Sequence, residues 1–319
     1  MSKDTTKINF IVVGIAFILS IVVFIAALVW LIGGLVPLDN APKPIAEPLP
    51  VAKKKPDVAA PPVRKSWPSM HASIGWKAEN FFDDPKVQAL CVAIEKQNLD
   101  EIDRLIATGA DINARGKDNM TPLLWAFPTN EIIFEHILKQ GADPNVIIEG
   151  SMGLARELTP FSKGASVVSI AARAKHEDKF DNYLKLVLEY GGNPSIVDPE
   201  KQTTPIFGAI LMGLKHNVSL LIEKGADVNY VSCGWNTPLL GAISTNKFDI
   251  ALLLLEAGAD YKFMHKNRTI VHSVANRYEW FFTDPGQTGD DYRRLVKWLE
   301  DHGESVLEAK ADNERREKR

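Results

Sequence analysis

The sequence lacks the short motifs of known catalytic, nucleotide-binding and metal sites. It has no Gly-x-Ser-x-Gly, no glycine-rich phosphate loop ending in Lys-Ser/Thr, no His-Glu-x-x-His and no Cys-x-x-Cys. Its seven histidines are scattered without metal-ligand spacing. We therefore predict that the protein is not an enzyme and that it holds no cofactor and no metal.

The sequence also lacks a strong excess of charge of either sign. Its formal net charge is -3 over 319 residues. Nucleic-acid binding domains usually carry a basic patch and a high isoelectric point, so this balance gives no electrostatic case for nucleic acid as a partner.

One long hydrophobic run stands near the start. After a polar segment, residues 1–7, the stretch 8–36 is apolar except for Asn9 and Ser20. At about 1.5 Å per residue in a helix it is long enough to cross a hydrocarbon core of about 30 Å. A cleaved signal peptide would have a shorter apolar region and an Ala-x-Ala site. We predict an uncleaved transmembrane anchor.

The orientation of this anchor is less directly indicated. Lys3 and Lys7 precede the run, whereas Lys43 and the lysines at 53–55 follow it. Counted alone, these charges weakly favour a cytoplasmic C-terminal side, but long domains are exported largely regardless of charge. A very short N-terminus before a single span is typical of a signal anchor. We therefore favour export of the remainder of the chain.

The segment that follows, residues 37–68, contains nine prolines among Ala, Lys and Val. Such a composition disfavours helices and central strands and favours an extended polyproline-II spacer or a plain disordered tether. We expect it to separate a folded domain from the membrane.

The rest of the chain is built on a recurring turn. Gly-Ala-Asp begins at Gly109, Gly141, Gly225 and Gly258, with a degenerate copy at Gly191. The steps between successive turns are 32, 50, 34 and 33 residues. Three of these steps match the period of about 33 that is typical of a two-helix repeat joined by a hairpin.

One repeat shows why several copies are needed. Thr237 can cap a helix that begins at Pro238, and Gly258 can end the second helix in a left-handed conformation. Neither short helix can bury its apolar face alone. Stability must come from stacked neighbours, and the terminal units should be atypical.

These residues resemble the ankyrin repeat. Its Thr-Pro-Leu-His box is approximated at Thr121–Leu124 and Thr204–Phe207, each followed by Gly-Ala-Asp-x-Asn. The box histidine survives only at His272. The resemblance implies an all-α solenoid of about six repeats over residues 69–303, followed by a charged tail, residues 304–319, which we expect to be a solvated and frayed helix.

Several further expectations follow from this alignment. Trp67, Trp76, Phe81 and Phe82 should cover the first repeat. Trp125 and Phe127 should pack between repeats or, as the alternative, contribute to a binding surface. Insertions at 146–164 and 277–291 interrupt the period and are either part of a binding face or simple loop elongations. Cys91 and Cys233 lie in repeats too far apart for a disulfide, so we expect two buried or half-buried thiols.

In the ankyrin resemblance, partners contact the hairpin tips and the exposed ends of the first helices. Carried over residue by residue, the candidate partner-binding residues are Arg115, Lys117, Asp118, Met120, Pro128, Thr129, Glu200, Lys201, Thr203, Met212, Trp235, Asn236, His265, Lys266, Arg268 and Arg277. The aligned helix ends also include Leu211, Ser244, Thr245 and Asn276. Trp235 is the sharpest candidate because tryptophan and arginine often dominate interface energetics, although it could instead fold back onto the stack.

Two functions remain open. The run Gly116–Pro128 and the general layout are similar to bacterial ankyrin immunity proteins of type VI secretion lipase effectors, which bind the toxin and occlude its active site. This likeness implies an inner-membrane protein with a periplasmic repeat domain, monomeric until it binds a lipase-type partner. The alternative is a membrane-tethered scaffold or assembly factor for envelope or cytoplasmic proteins.

Overall fold

The structure is a computed structural model, and it describes residues 71, 75–150, 161–174, 182–233, 236–264 and 268–318. These residues belong to one compact unit, 51–319. The predicted anchor (8–36), the proline-rich linker (37–68) and Trp67 lie outside the described residues. Within the described ranges, no helix combines the length and apolarity that a membrane crossing needs.

Pairs of short antiparallel helices make up the described fold, and no strand is found in this part of the chain. Helix α12 (Tyr278–Phe281) lies between the two helices of the sixth pair, and α14 (Val306–Glu317) ends the fold. The six pairs are α1 (Pro85–Glu95) with α2 (Leu99–Ala107), α3 (Pro122–Ala126) with α4 (Glu131–Lys139), α5 (Val167–Ala172) with α6 (Tyr183–Glu189), α7 (Pro205–Leu211) with α8 (Lys215–Glu223), α9 (Pro238–Ser244) with α10 (Phe248–Glu256), and α11 (Ile270–Ala275) with α13 (Gln287–Asp301).

The pairs stack into two layers, which confirms the predicted all-α repeat architecture. The first helices contact one another along α1 to α3, and again along α5, α7, α9 and α11. The second helices contact along α4 to α6 and along α8, α10 and α13. We call the side lined by the hairpin tips and the exposed ends of the first helices the inner face.

The helix starts follow the predicted chemistry. Thr121 and Thr237 each accept a hydrogen bond from the backbone N–H three residues on, at 3.2 Å, and a proline follows each of them. Asp84 caps α1 through the N–H of Lys86 at 2.8 Å. The retained box histidine, His272, accepts from the N–H of Thr269 through Nδ1. Local sequence therefore sets where these first helices begin, whereas Thr204, before Pro205 of α7, makes no such capping bond.

Asparagine side chains connect each turn to the next one. Asn113 accepts from the N–H of Asp143 at 2.7 Å and donates to the carbonyl of Gly141 at 3.0 Å. Asn229 makes the same two bonds to Asp260, at 2.7 Å, and to Gly258, at 3.2 Å. The same bonds recur from Asn145 to Asn193 and Gly191. Each such side chain satisfies a donor and an acceptor of the neighbouring repeat.

The third repeat carries a weaker connection. Ser195 stands where the other turns have asparagine, and its Oγ accepts from the N–H of Asp227 at 2.9 Å. A serine hydroxyl at this position replaces only one of the two bonds that an asparagine makes. The boundary between the third and fourth repeats therefore has one bond fewer than its neighbours.

Aromatic side chains fill the first half of the core. Trp125 is fully buried and lies 5.7 Å, centroid to centroid, from Trp76, while Phe127 packs 4.9 Å from Tyr183. The predictions that Trp76 covers the first repeats and that Trp125 and Phe127 lie between repeats are confirmed. Phe161, at the end of the first insertion, packs on both Trp76 and Phe127. Residues 151–160 of that insertion lie outside the described residues.

His71 completes this aromatic cover. Its ring stacks 4.7 Å from the Trp125 ring, and its Nε2 lies 2.7 Å from the Trp125 carbonyl oxygen, to which it donates. Burial lowers the pKa of His71, which favours the neutral imidazole at this position.

The C-terminal segment corrects one expectation. Instead of a solvated tail, α14 packs against α11 as if it were the first helix of a further repeat. Val306, Ala309 and Asn313 are buried, and Asn313 donates to the His272 carbonyl at 3.0 Å. These three residues share one helix face, and the remaining face is charged. The tail therefore caps the stack, as terminal units of solenoids must.

We predict that the stability of the stack is sensitive to the asparagine connections. Asn229→Ala should lower the free energy of unfolding by about 1–2 kcal/mol, because two hydrogen bonds between repeats are lost. Ser195→Asn should raise it by about 0.5–1 kcal/mol, because a second bond to the Gly225 carbonyl becomes possible. Chemical denaturation measures both. The free energy of unfolding of Asn229→Asp, which keeps the acceptor and loses the donor, should lie between those of the wild type and Asn229→Ala. Equal free energies of unfolding for all three variants would contradict this prediction.

A second prediction concerns the cap. Val306 is fully buried whereas its neighbour Leu307 is 57% exposed on the same helix. Val306→Ala should lower the free energy of unfolding by about 1–2 kcal/mol through lost burial and a small cavity. Leu307→Ala, the matched control, should change it by less than about 0.5 kcal/mol. Equal, negligible effects in thermal denaturation would mean that α14 is not part of the cooperative unit.

Candidate partner-binding face

The candidate residues at the N-terminal end of the inner face are largely engaged within the fold. Arg115 forms an ion pair with Asp143 at 2.9 Å, and the carbonyl of Asp118 accepts from the N–H of Glu149 at 3.0 Å. Lys117 is exposed and Thr129 half-buried. Met120 and Pro128 are buried, which corrects their assignment as partner-contacting residues. Their side chains complete the core of the second repeat, so they do not reach the surface.

The hairpin tips of the middle repeats also form ion pairs and hydrogen bonds within the fold. Glu200 pairs with Lys163 at 2.9 Å, and this hydrogen bond raises the pKa of Lys163. Lys201 pairs with Asp198 at 3.1 Å. The carbonyls of Thr203 and Asn236 accept from Asp198 and Ser232, which closes each hairpin. Trp235, His265 and Lys266 lie outside the described residues, so their role stays a prediction.

Arg277 is a structural tie between the last two repeats. It donates to the carbonyls of Ser244 and Ser273 at 3.1 and 2.9 Å, and to Oδ1 of Asn246 at 2.8 Å. Burial lowers the pKa of this guanidinium. The three hydrogen bonds all go to neutral acceptors.

Large apolar side chains are exposed on this face. Leu211 is 61% exposed and the adjacent Met212 is 39% exposed at the end of α7, and Met264 in the last hairpin is 61% exposed. These residues were expected at the surface from the aligned helix ends, except for Met264. Large apolar side chains exposed in this way are often found at interaction surfaces.

A cleft of about 570 Å³ lies between α9, the last hairpin with the start of α11, and α14. Its apolar lining consists of Leu240, Phe263 and Ile270, and its hydroxyl groups come from Thr269 and Ser273. The volume falls within the range of about 300–1,000 Å³ that is typical of ligand pockets. The cleft exists because α14 forms a wall beside α11.

Two arginines also line this cleft. Arg268 is exposed and has no hydrogen bond or ion pair with any residue that the structure describes. Arg316 projects from α14 and donates to Asp312 at 2.6 Å, which lowers the pKa of that carboxyl group. Asp312 is shared, since His272 and Arg315 also lie 3.4 and 3.5 Å from it. One carboxylate is thus surrounded by several basic side chains.

A second cleft has no such excess of basic side chains in its lining. It measures about 430 Å³ at the N-terminal end of the array, between the residues before α1 and the first hairpin. Asp83, Asp84, Arg115 and Lys117 all line it. Because acidic and basic groups are balanced there, it does not favour an anionic or a cationic ligand.

The second insertion displays a tryptophan that sequence reasoning did not single out. Trp280 on α12 is 74% exposed. Its helix is held firmly: Tyr278 stacks on Phe282 at 4.3 Å, and Phe281 packs 5.1 Å from Phe248. The aromatic-rich composition of the insertion was the available signal, but it could not tell which ring would face outward.

The two cysteines have different environments. Cys91 is fully buried in α1, and burial raises the pKa of its thiol. Cys233 is exposed, which corrects the expectation that both thiols are at least half-buried. Its thiol donates to the Lys201 carbonyl at 3.3 Å. The two thiols are not joined, as the spacing predicted.

Comparisons with known proteins agree with this geometry. A family description of ankyrin repeats in three copies matches residues 163–265, and another for ankyrin repeats in many copies matches residues 90–129. Over 143 residues, 44% of this chain, the sequence is 28% identical to the mitochondrial disaggregase of Bos taurus. The chain spans only 19% of the length of that relative. The chain therefore contains ankyrin repeats, which indicate a role in protein–protein interaction; no catalytic family is indicated.

We predict that Arg277 and Arg268 differ sharply in their effect on stability. Arg277→Ala should lower the free energy of unfolding by about 1–3 kcal/mol, because three hydrogen bonds are lost, two of which connect the fifth and sixth repeats. Arg268→Ala should change it by less than about 0.5 kcal/mol, as expected for an exposed side chain. Denaturation of both variants under one condition makes the comparison, and a destabilised Arg268→Ala would show that this side chain is part of the packing.

Proposed function

We propose that the protein is a membrane-anchored ankyrin-repeat binding protein whose inner face captures one protein partner by stoichiometric association without turnover. The observation that carries this proposal is the exposure of Leu211 and Met212 at the end of α7, and of Met264 and Arg268 in the last hairpin, where Arg268 has no partner among the described residues. Apolar side chains that the fold itself leaves uncovered, next to an arginine, are the composition of a binding hot spot.

We further propose that the partner is a type VI secretion phospholipase effector and that the protein acts as its immunity protein. The support is the likeness of the run Gly116–Pro128 to ankyrin immunity proteins, together with the hydrophobic segment 8–36. Since much of that run is buried, its likeness concerns the repeat framework more than the contact surface. The tether would hold the inhibitor beside the bilayer that a phospholipase attacks, with the repeat domain in the periplasm.

A membrane-tethered scaffold is the second candidate. The exposed Trp280 favours it, since a second anchor outside the inner face could engage another protein at the same time. An occluding inhibitor needs one tight and specific interface, whereas a scaffold tolerates several weak ones. The two functions therefore differ in the number of partners.

Affinity capture with the full-length chain from its native membrane tests the proposal. We expect one lipase-like protein to be recovered, its phospholipase activity to be inhibited at a one-to-one ratio, and both results to be lost in Leu211→Glu/Met212→Glu. Leu307→Glu, which places the same charge on a similarly exposed leucine of α14, is the control and should behave as wild type. Recovery of several proteins, or one whose activity is unchanged in the complex, would favour the scaffold.

A further inference from the structure

We propose that the cleft between α9, the last hairpin and α14 binds an extended acidic segment of the protein partner, anchored by a large apolar side chain. This inference rests on the proposed function, because it takes the inner face as the site of capture. It adds the chemistry of the bound segment and the part of the face that binds it.

The apolar half of the cleft sets the first requirement. Leu240 and Phe263 are only half-buried although both contribute to the lining. Burying their remaining apolar area requires a side chain of matching character, such as leucine or phenylalanine.

The charged half sets the second requirement. Arg268 and Arg316 are both in the lining, and among its described residues there is no carboxylate. Arg316 is already bonded to Asp312, but Arg268 makes no bond with any described residue. Guanidinium groups pair preferentially with carboxylates in a bidentate geometry. Charge complementarity therefore selects an acidic segment and disfavours a basic one.

The neighbouring groups strengthen this preference. Ser273 lines the cleft, and its carbonyl accepts from Arg277, which places a third guanidinium one turn further along the chain, just beyond the end of α11. The cleft at the opposite end of the array has both signs of charge in its lining, so the bias belongs to the C-terminal repeats.

Peptide selection against the full-length chain tests this inference. A random phage-displayed peptide library is the probe, panned on the immobilised protein in mild detergent. We expect the selected peptides to be rich in Asp and Glu next to Leu, Phe or Trp. Selection of basic or uncharged sequences, or failure to enrich any sequence, would overturn the proposal.

Binding of a selected peptide to matched variants locates the site. Arg268→Glu should weaken binding about tenfold or more and Arg268→Gln by about threefold, with the wild-type affinity falling as salt is raised. Arg104→Glu, which reverses an exposed arginine on α2, should leave the affinity unchanged. Equal affinities of Arg268→Glu and wild type would overturn the assignment, as would self-association of the chain that Arg268→Glu abolishes.

The outcomes separate this inference from the proposed function. If the full-length chain captures and inhibits a lipase but Arg268→Glu does so equally well, the function stands and the cleft assignment fails. If acidic apolar peptides bind through Arg268 but no lipase is captured, the cleft assignment stands and the immunity function fails.

Discussion

The asparagine side chain that bridges one turn to the next is the interaction on which the stack depends. Each hairpin turn leaves a backbone N–H and a carbonyl without partners inside its own repeat, and unpaired backbone groups at a repeat boundary are costly. Asn113, Asn145 and Asn229 satisfy both groups of the following turn. The same side chains thereby fix the offset between repeats, which sets the spacing of the hairpin tips. The positions of the hairpin tips therefore depend on these hydrogen bonds.

The end of the stack follows a different rule. Lys262 occupies the place of the bridging asparagine in the fifth turn, and the next unit is held by packing instead, with Tyr261 against Trp298 at 5.3 Å. Beyond it, α14 packs against α11 and brings Arg316 to the lining of the cleft. The packing of α14 therefore accounts for both the cap of the stack and the cleft. The helix that protects the last apolar face also makes the wall of the cleft.

Much of the framework could be predicted from sequence because it depends on local rules. Thr-Pro pairs and glycines mark helix ends, and a period near 33 places Trp125 and Phe127 between repeats. The residues exposed at the surface were harder to predict. Alignment gave Met120 and Pro128 as contact residues, yet their orientation depends on how the hairpin folds over its own core. The tail was missed because Val306, Ala309 and Asn313 form a narrow buried stripe within a strongly charged segment. The predicted anchor falls outside the described residues.

The choice of partner in such a protein depends on which charged and apolar side chains the fold leaves exposed and available for contact. At the N-terminal tips Arg115 is neutralised by Asp143, and in the middle Lys163 and Lys201 have carboxylate partners, so these positions offer little to a ligand. Exposed ion pairs of this kind contribute little to stability, but they remove a charge from the set available for recognition. The fourth to sixth repeats retain the exposed Leu211 and Met264, and an exposed Arg268 that has no partner in the part of the chain that the structure describes. A partner that covers these groups gains apolar burial and a new ion pair without breaking an existing one, and the binding energy is therefore concentrated at that end of the stack.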